Sequence, residues 1–205
     1  MLLTIWSVLA PVPAAAVDNA VKIVVLGDSL SAGYGLEVQD AFPSKLQAAL
    51  KAKGYATTMI NAGVSGDTAT GGLERFDWSV PPDADAVILE LGANDALRGV
   101  SPDVTRSALD QILTKVDTRK IPVLLAGMKS PPNMGPDYVA KFDAIFPDLA
   151  KAHGSIFYPF FLDGVAADDK LNQRDGMHPN PQGVDVIVKN ILPKVEELIA
   201  KAKTK

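Results

Sequence analysis

Apolar residues fall into short unbroken blocks separated by longer stretches in which they recur every three or four positions. Residues 21–26 are apolar apart from Lys22 and stop at Gly27. Residues 55–60, 86–91, 122–126 and 156–160 form four further blocks of strand length. Between them the period is helical. Leu46, Ala49 and Leu50 share one face, with Gly54 as a C-terminal stop. Ser101-Pro102 opens a helix that runs to about residue 117. Val139, Phe142, Ile145, Phe146 and Leu149 mark a single helix over 137–152. Val184, Ile187, Val188, Ile191 and Leu192 form the stripe of a terminal helix over about 181–201. Strands that lack polar alternation are buried on both faces, which requires a parallel sheet covered by helices. Strand and helix alternate along the chain. The expected architecture is therefore a three-layer α/β/α sandwich around a mostly parallel five-stranded sheet, joined by right-handed crossovers.

The first 16 residues stand apart. Residues 2–10 are apolar except Thr4 and Ser7, and Ala14-Ala15-Ala16 has the small residues of a secretory cleavage site. No Lys or Arg precedes Lys22, so the run reads either as a signal peptide or as an apolar tail. It is too short, and too interrupted by Pro11 and Pro13, to span a bilayer. Residues 17–205 are expected to form a single domain, since no repeat or Gly/Ser/Pro-rich linker divides them.

Composition narrows the chemistry. The 205 residues carry a net charge of −4, which gives no electrostatic footprint for nucleic acid. There are no cysteines, so disulfides, thiolate metal sites and cysteine nucleophiles are all excluded. In a parallel α/β sheet the ligand site lies beyond the carboxyl ends of the strands. Four polar, glycine-containing segments sit there: 27–35, 61–68, 92–95 and 175–180. The first holds Ser29 directly after a strand, where a hydroxyl would need a base to become a nucleophile. Of the two histidines, His178 lies three residues after Asp175, close enough for the carboxylate to orient the ring. His153 ends a helical stretch and reads as a cation at a helix C-terminus. The backbone N–H groups of Ser29 and Gly63 and the Asn94 amide are candidate oxyanion donors. A carboxylate metal site at Asp28, Asp67 and Asp95 has no ligand spacing behind it. Gly33-Tyr34-Gly35 lacks the spacing and the lysine of a phosphate loop. A non-catalytic lipid- or glycan-binding module is a further alternative, disfavoured by the intact Ser29, Asp175 and His178.

Gly27-Asp28-Ser29-Leu30, with Gly63, Asn94 and His178 each in its own block, resembles the GDSL or SGNH hydrolase family. The likeness runs from about Ile23 to the last helix and is narrowest with the bacterial arylesterase, acyl-CoA thioesterase and lysophospholipase branch. It implies a flavodoxin-like sheet, a Ser29–His178–Asp175 triad, an oxyanion hole of Ser29, Gly63 and Asn94, and no metal or organic cofactor. It also implies a small acyl ester or thioester substrate, a carbohydrate O-deacetylase being the alternative. Residues 129–136 would border an acyl groove, with Pro132, Asn133 and Met134 as substrate-binding positions. Met134 stands where close relatives carry an aromatic residue.

Overall fold

A computed structural model describes residues 20–204; the expected signal or tail at 1–16 lies outside the described residues. The chain opens with strand β1 (Val21–Gly27), a short helix α1 (Ser29–Ala32), helix α2 (Phe42–Ala52) and strand β2 (Thr57–Gly63). Helices α3 (Ala69–Glu74) and α4 (Phe76–Ser79) lead to β3 (Ala86–Glu90), α5 (Ala93–Leu97), α6 (Pro102–Thr118) and β4 (Val123–Ala126). Helices α7 (Pro136–Asp143) and α8 (Ile145–His153), strand β5 (Ile156–Tyr158) and helix α9 (Pro181–Lys203) complete it.

Among the described residues all five strands are parallel, in the order β2-β1-β3-β4-β5. The valine, isoleucine and leucine side chains of β1, β3 and β4 are almost entirely buried, as a central strand covered on both faces requires. Helices α2 and α9 pack together against the sheet, while α3, α6 and α8 form the other layer. The order reverses between β1 and β3, which opens a crevice at their carboxyl ends. Register sets Gly27 level with Gly63 on one side and Glu90 on the other, so three loops leave the sheet at one height.

Three of the boundaries that differ from the sequence reading have a local reason each. The helix expected over 137–152 is two helices. Pro147 has no N–H for the carbonyl of Asp143, and its ring crowds that carbonyl, so the ladder breaks at Ala144. Strand β5 stops at Tyr158 because Pro159 cannot donate to the sheet. Strand β2 begins at Thr57, since the Tyr55 N–H is spent on the carbonyl of Leu50 at the end of α2. As an edge strand β2 is half-buried, with Thr58 and Asn61 exposed.

The core is one contiguous cluster. Phe142 is fully buried within it, stacked on Tyr138 at 5.9 Å and edge-on to Phe146 at 5.6 Å. Tyr138 in turn donates to the carbonyl of Val100 at 2.8 Å. Phe142→Ala should therefore cost about 3–5 kcal/mol, the range for emptying a large buried aromatic site. A denaturant midpoint shifted by less than one third of that would show that α7 collapses onto the gap.

Candidate active site

The turn that carries Ser29 is built by capping. Asp28 precedes α1, and its Oδ1 accepts the Leu30 N–H at 2.9 Å, satisfying one of the donors that a helix start leaves open. Ser29 is the first residue of α1, so its own N–H precedes the helical ladder and is not used by it. Gly63 lies beside this turn at the end of β2. A Cβ there would overlap the backbone nitrogen of Ala32 and approach the carbonyl oxygen of Asp28, so only glycine lets α1 pack this closely.

The segment before α9 brings His178 across to Ser29. Gly176 takes a left-handed φ of 69°, which folds the chain so that Asp175 Oδ1 accepts the N–H groups of Met177 (2.9 Å) and His178 (3.0 Å). Asp175 Oδ2 lies 2.7 Å from His178 Nδ1, and His178 Nε2 lies 3.0 Å from Ser29 Oγ. With Nδ1 donating to Asp175, Nε2 is left as the acceptor for the Ser29 proton. Gln173 anchors the loop: its N–H donates to the His178 carbonyl at 2.7 Å and its side chain to the carbonyls of Tyr34 and Pro179. The Tyr34 ring sits 4.6 Å from the imidazole. The His178 and Met177 backbone N–H groups, together with the imidazole, hold the Asp175 carboxyl down at about 2. It is therefore ionised at any pH where the protein would work.

A second set of polar contacts fixes the neighbouring donors. Asn94 Nδ2 donates to Asp28 Oδ2 at 3.0 Å and to the carbonyl of Asp67 at 2.9 Å. The Gly63 N–H donates to Asn61 Oδ1 at 3.0 Å. Arg75 holds the strand ends from behind, reaching Asp67 (2.6 Å), the Ala62 carbonyl (2.7 Å) and the Gly27 carbonyl (2.8 Å). The three carboxylates considered for a metal are dispersed: Asp28 on Leu30 and Asn94, Asp67 on Arg75, Asp95 on Ala69 N–H and Thr105. His153 ends α8, as its position in the sequence implied, and joins Asp117 (2.6 Å) and Asp110 (2.8 Å) of α6.

Beneath the turn lies a buried acid. Glu90 is fully buried; its Oε2 accepts from Ser31 Oγ at 2.5 Å and from the Asp28 N–H at 3.3 Å, while Oε1 has no partner. Burial, and then the nearby Asp28 carboxylate, push Glu90 well above the usual carboxylate range. Burial likewise lifts Asp28 to about 6, against the opposing Leu30 and Asn94 hydrogen bonds. An acid whose folded value is raised costs stability as it ionises: nothing below its unfolded value, the full amount above its folded one. At His153 burial acts downward, but Asp117 and Asp110 outweigh it and the ring is raised, so it adds stability on the acid side. The thermal midpoint should therefore rise as pH falls from about 8 to about 5.5. In Glu90→Gln, which keeps the shape without the charge, the rise should be smaller. An equal rise in both proteins would remove Glu90 from the account.

The crevice holds a cavity of about 360 Å³ with Ser29, Asn94 and His178 in its wall. The rest is largely apolar, supplied by Leu30, Met128, Pro131, Phe160, Leu162 and Met177. Of the three substrate-binding positions taken from the resemblance, Pro132 lines this cavity and Asn133 and Met134 do not. They form the rest of a tight turn, Pro132–Met134, with the Met134 methyl group directed at Gly99. The wall residues that sequence reasoning missed lie in loops, such as Met128, Phe160 and Leu162, or in helices too short to show a period, such as Leu30 and Leu97. The one available signal was apolar side chains directly after β4 and β5.

A parallel α/β/α sheet with serine, histidine and aspartate in hydrogen-bonded line beside an apolar cavity is the layout of a serine hydrolase. The GDSL-like lipase/acylhydrolase family model matches residues 25–186, and the chain belongs to that family. An arylesterase of Vibrio mimicus is 39% identical over 172 residues, covering 82% of this chain and 84% of that protein. The Escherichia coli (strain K12) protein named Thioesterase 1/protease 1/lysophospholipase L1 is 37% identical over 196 residues, covering 93% of this chain and 91% of its own. The crystal structure of the psychrotrophic esterase EstA from Pseudoalteromonas sp., inhibited by monoethylphosphonate, matches with a TM-score of 0.82 at 30% identity, over 88% of this chain and 99% of that one. The protein is accordingly an ester hydrolase of the SGNH fold.

Proposed function

We propose that the protein cleaves aryl and short- to medium-chain acyl esters, and acyl thioesters, through an acyl-enzyme on Ser29. The observation that carries this is the unbroken line from Ser29 Oγ to His178 Nε2 (3.0 Å) and from His178 Nδ1 to Asp175 (2.7 Å), opening on the cavity. His178 Nε2 takes the Ser29 proton as Oγ bonds to the carbonyl carbon. The tetrahedral intermediate collapses, the bond to the leaving oxygen or sulfur breaks, and His178 returns the proton to it. Water then enters by the reverse route and releases the acid.

The Ser29 N–H, the Gly63 N–H and the Asn94 amide stabilise the oxyanion. Gly63 turns its N–H from Asn61 to do so, and Asn94 shares a hydrogen now held by Asp28 or Asp67. Asn94→Ala should lower kcat by about 10²–10³ with a much smaller change in KM. Wild-type turnover in that variant would take Asn94 out of the oxyanion hole. The apolar start and the Ala14-Ala15-Ala16 run support export to the periplasm or medium, which cell fractionation and the mature N-terminus would test.

The deciding experiment is hydrolysis of p-nitrophenyl esters from acetate to palmitate, combined with fluorophosphonate labelling and peptide mapping. Phosphonate inhibition of the Pseudoalteromonas esterase makes the label apt. A phosphonyl group on Ser29 with activity lost in step supports the reading; a label on another residue, or full activity after labelling, would overturn it.

A further inference from the structure

We propose that Lys129 makes this enzyme selective for acyl chains that end in a carboxylate, such as the half-esters or half-thioesters of short dicarboxylic acids. The proposal rests on the acyl-enzyme reading above and adds a substrate class to it. Lys129 is the only lysine or arginine in the cavity wall, where the other ionisable side chains are Asp28 and His178 of the reacting centre. Its ammonium lies 5.1 Å from the ring centroid of Phe160, itself a wall residue, so an aromatic face rather than a carboxylate steadies the charge. Among the described residues Lys129 has no acidic partner. The acidic side chain that reaches its loop, Asp143, is engaged with the Ser130 N–H at 2.8 Å.

The placement separates two jobs. Lys129 follows Gly127 and Met128 at the end of β4, whereas Ser29 follows β1. Met128, Phe160 and Leu162 supply apolar wall alongside it for the methylenes of a short chain. Lys129 is exposed, and a cation bordering a largely apolar cavity favours a ligand that is apolar along its length and negative at its end. A neutral acyl chain leaves the ammonium to water and gains nothing from it.

The test compares mono-p-nitrophenyl glutarate with p-nitrophenyl valerate, which share chain length and leaving group and differ in the terminal charge. The ratio of kcat/KM for the glutarate ester to that for the valerate ester is read in wild type, Lys129→Met and Lys129→Arg. Lys129→Met should lower the ratio about tenfold, the size of one charge-assisted contact, chiefly through KM of the glutarate ester. Lys129→Arg should keep it, and added salt should lower it in wild type and Lys129→Arg but not in Lys129→Met. A ratio unchanged in Lys129→Met overturns the proposal. So does a Lys129 effect confined to an anionic leaving group, seen with butyryl-CoA and not with the glutarate ester. Failure of the wild type to cleave either nitrophenyl ester would instead strike the acyl-enzyme reading itself.

Discussion

Ser29→Ala should lower kcat on p-nitrophenyl butyrate by about 10⁴–10⁶, with KM changed little. Ser29 Oγ is the hydroxyl that faces His178 Nε2, and no other hydroxyl hydrogen bond to that nitrogen is found among the described residues. Removing it leaves the apolar wall and the Asn94 amide in place, so substrate still binds while bond formation to the protein stops. Turnover above the water rate would persist at a low level, because oriented donors act without a nucleophile. The side chain is small and its hydrogen bond runs to His178 rather than into the sheet, so the thermal midpoint should shift little. Measurement needs a preparation free of parent enzyme, checked by the absence of phosphonate labelling. Retention of more than about one hundredth of the activity would place the nucleophile elsewhere.

Asp175→Asn should lower kcat by about 10⁴. The argument is geometric. Oδ1 of Asp175 already accepts two backbone N–H groups, from Met177 and His178. An asparagine would keep its carbonyl oxygen on those donors and turn its NH₂ toward His178 Nδ1. That nitrogen would then have to accept, the ring proton would move to Nε2, and Nε2 would donate to Ser29 instead of receiving its proton. Nitrogen NMR of labelled histidine should report the exchanged tautomer together with the lost rate. The wild-type carboxylate, held at about 2, contributes its stabilisation above its unfolded value and loses it only as pH falls through about 2. An Asp175→Asn enzyme with near-normal kcat would show that the carboxylate's charge and orientation are dispensable.

The sequence exposed the sheet and the reacting centre unevenly, for physical reasons. Buried strands such as Ala86–Glu90 announce themselves because both faces must be apolar. That Ser29, Gly63, Asn94 and His178 would come together was legible because each sits in a polar, glycine-containing segment, and the sheet brings those segments to one edge. The periodicity of residues 137–152 was read correctly as helical, yet Pro147 divides it without disturbing the apolar stripe. Short helices such as α1 and α5 escaped because four or five residues cannot display a period of 3.6. Phe160 and Leu162 lie in irregular chain after β5, where only the folded path reveals that they face the cavity. Glu90 reads as the polar end of a strand, and its burial depends on α1 folding over it.

The distance along the chain between the proposed nucleophile and the proposed base has a consequence for biosynthesis. Ser29 belongs to the first strand's turn and His178 to the segment before the final helix, 149 residues apart. A ribosome-bound chain that has completed β1 through β4 would carry the hydroxyl but lack the imidazole proposed to deprotonate it. Ester cleavage would begin only after His178 has emerged and docked, so the appearance of turnover would time the closing step of folding, and truncated products would be silent toward the cell's acyl pool.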